Sequence, residues 1–219
     1  TALPKTYTWT AGGSSNGFND PGNWNPNGTP GSIDTIQFGV GSNAPLLPAG
    51  GATVSNIVTQ PNAYPVFMNA LSADTPLNTG TLNLNSNSSL TLINTRLSVD
   101  SDVSIQGVSL TVNGGATLNA GTVATPGTHS VTLNNGSAAT IDNGGAMQAS
   151  SLVANGIVNL NNGSLTAGSI TGSGSVKLET SNVHLHVTGT PGLVIGRAVP
   201  VIPGVVQSPT SEAVTIGMN

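Results

Sequence analysis

Cysteine is absent from the 219-residue chain, which removes disulfides and zinc–thiolate sites together. Charge is scarce. Lys plus Arg number 4 and charged residues make up 5%, so the basic footprint that nucleic acid demands is missing. The Ala, Glu, Lys and Leu of bundles and coiled coils give way to Gly, Asn, Thr and Ser. No apolar run is long enough for a spanning helix. The most apolar stretch, 193–206, is broken by Arg197, Pro200 and Pro203. Disorder is a poor fit too, because 37% of residues are hydrophobic and the net charge is only −4. Residues 1–7 lack the apolar region of a signal peptide, so any secretory signal is expected to have been removed.

Aromatics are few and confined. Tyr7, Trp9, Phe18, Trp24, Phe38, Tyr64 and Phe67 are all of them, and none follows. A core built without them must be narrow and filled by Val, Leu, Ile and Ala.

The middle of the chain alternates apolar and small polar residues at period two. Leu82 and Leu84, Leu90 and Leu92, Leu97 and Val99, Val103 and Ile105, and Leu110 and Val112 begin a series. It continues through Leu118, Val131, Leu133, Ile141, Leu152, Val158, Leu160, Leu165, Ile170, Val176 and Leu178 to Val183, Leu185 and Val187. The strands predicted are about three to five residues long, at the short end for globular proteins. No segment has a 3.6-residue period. Turns at Asn113-Gly114-Gly115, Asn135-Gly136, Asn143-Gly144-Gly145 and Asn162-Gly163 use residues that enter the left-handed region at least cost. Equating the corners after Val112, Leu133 and Leu160 gives an irregular repeat of about 20 to 30 residues, which points to stacked β-coils. The expected fold is therefore all-β, a parallel β-helix or β-solenoid.

Three regions are expected. Residues 1–76 form an aromatic-rich N-terminal cap followed by an irregular Pro-rich segment, in which 54–58 is a candidate strand. Residues 77–190 form the coils. Residues 191–219 form an apolar, Pro-spaced tail, either a cap or a strand offered to another subunit.

The opening Trp9…Gly12-Gly13…Phe18-Asn19-Asp20…Asn23-Trp24-Asn25…Pro30…Asp34…Phe38 resembles the start of secreted bacterial β-helix proteins. Autotransporter passengers and filamentous-haemagglutinin-like surface proteins are the families in question. Rungs such as Gly80-Thr81-Leu82-Asn83-Leu84 and Gly115-Ala116-Thr117-Leu118-Asn119 are similar to their repeats. The resemblance implies a right-handed parallel β-helix at the cell surface with adhesive or structural work. No membrane β-barrel translocator follows the repeats here, so it further implies a fragment, a processed passenger or another export route.

Few residues suggest chemistry. Asp100-Ser101-Asp102 is the only close carboxylate pair and reads as a polar corner between two strands. Asp142 is the one further acid that stacking could bring to it. His184 and His186 flank Leu185 on one outer face, about 7 Å apart, and Glu179 is a possible third metal ligand. Two histidines fall short of the four ligands of a structural site, so they read as solvated residues. No acid partner is evident for His129, His184 or His186. Trp9, Trp24, Tyr7 and Tyr64 could stack on sugar rings, but an exposed coil end needs an aromatic cover first.

The expectation from sequence is a non-enzymatic, extracellular structural or adhesive element of the bacterial surface or matrix, without cofactor. Its expected partner is itself, end to end, through Tyr7, Trp9, Val199, Val201, Ile202, Val205, Val214 and Ile216. Surface polysaccharide is the next candidate partner. The alternatives are a β-helix protein that binds or cleaves polysaccharide, and an ice-binding solenoid whose outward Thr91, Thr111, Thr117, Thr132, Thr140 and Thr166 are unevenly spaced in sequence.

Overall fold

A strand of three to five residues that alternates apolar and polar side chains buries too little to stand alone. Winding the chain so that like strands stack solves this, because each coil supplies the next with hydrogen bonds and an apolar floor. The computed structural model describes residues 2–68, 76–180, 182–189 and 214–217. It is all-β, 53% strand and 2% helix, and its parallel sheets form a β-solenoid of about 7 turns.

Each turn runs across three faces. Face one stacks Gly41–Asn43, Ala63–Met68, Ser89–Ile93, Ser109–Asn113, Ala138–Asp142, Ile157–Asn161 and Ser175–Leu178. Faces two and three share the long strands Ala52–Thr59 and Pro76–Leu84, which bend at Ser55 and Gly80, where pairing skips a residue in each. Beyond them the faces separate. Face two continues through Arg96–Val99, Thr117–Ala120, Ala146–Ala149, Ser164–Ala167 and His184–Val187. Face three holds Thr6–Trp9 and Thr35–Phe38 before the bend, and Val103–Ile105, Ser130–Leu133, Ser151–Ala154 and Ile170–Thr171 after it.

The interior is stacked aliphatic columns. On face one Phe67, Leu92, Val112, Ile141, Leu160 and Leu178 lie one above another. On face two the column is Leu77, Leu97, Leu118, Met147, Leu165 and Leu185. Successive coils on face one are therefore 25, 20, 29, 19 and 18 residues long.

These lengths correct the repeat read from sequence. Val112 and Leu160 belong to face one, but Leu133 stacks between Ile105 and Ala154 on face three. The Asn/Gly corners after them are not equivalent. All three corners of a turn favour Gly and Asn, so turn composition alone cannot separate a corner from its counterpart one coil away.

The aromatic segment closes the first coil. Thr6–Trp9 pairs parallel with Thr35–Phe38 on one side and antiparallel with Trp24–Asn25 on the other. The rings then pack edge to face: Trp9 on Trp24 at 4.9 Å, Phe18 on Trp24 at 5.1 Å and Phe38 on Phe67 at 5.2 Å between centroids. The indole N–H of Trp24 donates to the Phe18 carbonyl. Asp20 ties the preceding loop. Its carboxylate accepts from the N–H of Gly22, from the hydroxyls of Ser14 and Ser15 and from the Ser15 N–H, which holds its pKa below the ordinary value. The Asn23 side chain accepts from Gly13 and donates to the Ser15 and Gly17 carbonyls. Asp34 accepts from the backbone of Lys5 and Gly31. The motif that carried the family resemblance is thus a set of cap-building residues.

One regional expectation meets a different arrangement. The Pro-rich stretch 45–76 carries coil strands, Ala52–Thr59 and Ala63–Met68, so stacking begins well before residue 77. In the tail, Val199, Val201, Ile202 and Val205 lie outside the described residues, while Val214–Gly217 pairs antiparallel with Ser175–Leu178 of the same chain.

Candidate functional site

A period-two pattern makes alternate residues face outward, and outward residues are normally wet. Two residues on face two break that rule. Ser98 and Asn119 point away from the core column yet are only 2% and 1% exposed. What covers them is the connection between Thr117–Ala120 and Ser130–Leu133. Elsewhere the corner between faces two and three uses residues 100–102, Ser150 alone, or 168–169. Here it uses residues 121–129, which accounts for the long coil.

Asn119 holds this loop down. Its amide nitrogen donates to the Gly121 and Thr122 carbonyls, and more weakly to the Ser98 hydroxyl. Its amide oxygen accepts from the Gly127 N–H at 2.8 Å. Within the loop the Thr122 and Thr125 hydroxyls bond to each other at 2.8 Å, and the Thr125 N–H donates to Thr122 Oγ1.

The foot of the loop lands on the acidic corner of the coil below. Asp102 Oδ1 accepts from both the N–H and the hydroxyl of Ser130 at 2.8 Å. His129 Nε2 lies 3.4 Å from Asp100 Oδ1, and His129 Nδ1 lies 4.0 Å from Asp102 Oδ1. The Ser130 backbone bond first, then its hydroxyl, and last the His129 charge hold the Asp102 carboxyl below its ordinary value, against a small opposing effect of burial. His129 therefore has acid partners, contrary to the sequence reading. Asp142, the further acid that stacking could have brought to this corner, ends the face-one strand Ala138–Asp142.

Between the loop and face two lies a hollow of ≈ 490 Å³. Thr53, Asn78 and Ser98 line its floor, Thr122 and Val123 its loop wall, and Asp100 its end. A second hollow of ≈ 300 Å³ lies on the other side of the loop, lined by Gly127, Gln148 and Thr166 among others. Asn78 has one amide atom, Oδ1, buried without a hydrogen-bond partner, while its nitrogen reaches Thr53 Oγ1 at 3.4 Å. Val123 is 44% exposed at the rim.

No protein-family model, curated protein or solved structure matches this chain. The likeness to autotransporter passengers and filamentous-haemagglutinin-like proteins rests on the opening motif and the rung composition alone.

The residues singled out from sequence fall elsewhere. His184 and His186 are exposed on face two, in register with Ser164 and Thr166 of the coil below. Glu179 is exposed just beyond the face-one strand Ser175–Leu178. Among the described residues no three His, Asp or Glu converge as a metal site. Trp9 and Trp24 are 4% and 2% exposed and present no ring to a sugar, and Tyr7 is buried in the same cluster. Tyr64 is the exposed member, on the outer side of face one.

The loop and its Asn119 pin are not legible in the sequence, because an outward position in a period-two pattern implies solvent. One signal was present. The apolar alternation lapses between Leu118 and Val131, a gap wider than any corner needs.

Proposed function

We propose that this chain is a non-enzymatic structural and adhesive β-solenoid of the bacterial surface or matrix, acting outside the cell, which makes contact through the loop-covered corner between faces two and three. The supporting observation is the 121–129 loop. Stacked coils with short corners make a stiff, low-charge spacer, and an ordered loop on such a scaffold is where recognition residues are usually carried. The opening motif's likeness to bacterial surface proteins supports the location.

The test is attachment. Beads coated with the chain should adhere to bacterial cells or their extracted matrix better than bare beads. A variant whose residues 121–129 are replaced by Gly-Ser, the length of the 168–169 corner, should adhere less while keeping a β-type circular dichroism spectrum. Adhesion no better than bare beads overturns the proposal.

The ice-binding alternative has one observation in its favour. Thr91, Thr111 and Thr140 stack in register on face one, although Asn159 and Lys177 continue that column. Thermal hysteresis in the purified chain would support it.

A further inference from the structure

The chemistry of the hollow under the 121–129 loop points to a class of ligand. We infer that it takes a neutral oligosaccharide. This rests on the reading of that corner as the contact site and names what it contacts.

The lining decides between ligand classes. Ser32, Thr53, Ser55 and Thr122 supply hydroxyls, Asn78 an amide and Val123 apolar wall, with Ser98 and Val54 buried beneath them. A sugar presents the same mixture: hydroxyls that donate and accept, and C–H faces between them. The volume is within the range of small-ligand pockets. Among the described residues no Lys or Arg lines it and Asp100 is its one charged side chain, so phosphate, sulfate and uronate groups would meet a carboxylate and no cation. An extended peptide is no better placed. Most of the floor is the face of a sheet: the strands that carry Asn78 and Ser98 pair on both sides, and only residues 52–54 pair on one side alone. A peptide would find only the short edge at 52–54 as free backbone to join.

Asn78 gives independent support. Its Oδ1 is buried without a donor, and its nitrogen has only a long bond to Thr53. The oxygen has no accessible surface for a ligand to reach, so the amide would serve through its nitrogen, which carries two N–H groups and only that one long bond. The loop is firm enough to serve as a wall because Asn119 fixes both its beginning, at Gly121 and Thr122, and its end, at Gly127. No aromatic ring lines the hollow, so affinity at a single site is expected to be weak, and strength would come from repeated copies on one surface.

The experiment is an NMR titration of the ¹⁵N-labelled full chain with maltohexaose, cellohexaose and chitohexaose, and with oligogalacturonate as the anionic control. At least one neutral hexasaccharide should move the amide signals of Asn78, Ser98 and Thr122 saturably, and oligogalacturonate should not. Val123→Arg, at an exposed rim position, should crowd the opening and weaken binding about tenfold or more with melting unchanged. Asn78→Ala should weaken it by up to about tenfold, the loss of one hydrogen bond. Thr111→Ala on face one should do nothing. If none of the three neutral sugars moves these signals, or if Val123→Arg binds as the parent does, the inference is overturned. Bead attachment separates this from the broader reading. Attachment that needs the loop but ignores all three sugars removes the ligand class and leaves adhesion standing. Sugar binding without attachment does the reverse.

Discussion

Leu133 and Thr132 are neighbours with opposite surroundings. Leu133 is fully buried between Ile105 and Ala154, whereas Thr132 faces outward between Ser104 and Val153. A carboxylate at the first position has no water and no partner, and one at the second is solvated. Leu133→Asp should therefore cost several kcal/mol and Thr132→Asp under about 0.5. Thermal melts of the two variants check this, and equal shifts would mean the register is wrong. This much was legible in the sequence, because period-two alternation fixes which side chain faces in without knowing which coil lies above. What stacks on what was not legible. Leu133 and Val112 precede similar Asn/Gly corners, and only the loop lengths between them decide that they sit on different faces. Glycine at these corners answers to space as well as to backbone angle. A methyl on Gly156 would strike the Ser137 carbonyl of the coil below, and one on Gly145 the Val112 carbonyl.

The 121–129 loop is an element whose anchor comes from residues far apart in sequence. Its foot is held by Asp102, 28 residues before Ser130, which is why pattern reading left His129 without an acid. The tie depends on pH in a definite direction. Asp102 is held below its ordinary value of 3.8 when folded, chiefly by the Ser130 N–H and hydroxyl. Its contribution is fully present above the unfolded value and is lost as pH falls through the lower, folded one. The Ser130 amide signal should follow that proton, with a midpoint below the ordinary aspartate value, and should stop responding in Asp102→Asn. A Ser130 midpoint at or above the ordinary value would break the assignment. Since Asp102 is exposed, salt screens it, and the effect should be read as local loosening of the loop foot while the coils stay folded.

At the scale of the whole molecule, the question is what happens at the open end of a stack. An uncovered coil presents unpaired backbone groups and a disc of apolar core, and both favour addition of a second chain. From the sequence, Tyr7 and Trp9 are expected to be donated in that way. The structure has them folded back on their own first coil, with Trp9 against Trp24 and Phe38 stacked beneath Trp9. The strand is thus positioned as a stopper, and removing it should promote association where donation to a neighbour would have required it. Deleting residues 1–10 strips Tyr7 and Trp9 from the aromatic cluster, uncovers Trp24, and frees the edge of Thr35–Phe38. By comparison with large-to-small substitutions in cores, loss of two aromatic rings should cost at least about 3–5 kcal/mol. Sedimentation velocity should find the truncated chain in larger species than the full chain at the same concentration, with a lower melting temperature. A truncation that sediments smaller than the full chain would mean that the strand joins subunits. One that sediments and melts like the full chain would mean that Phe18, Trp24 and Phe38 close the end without it.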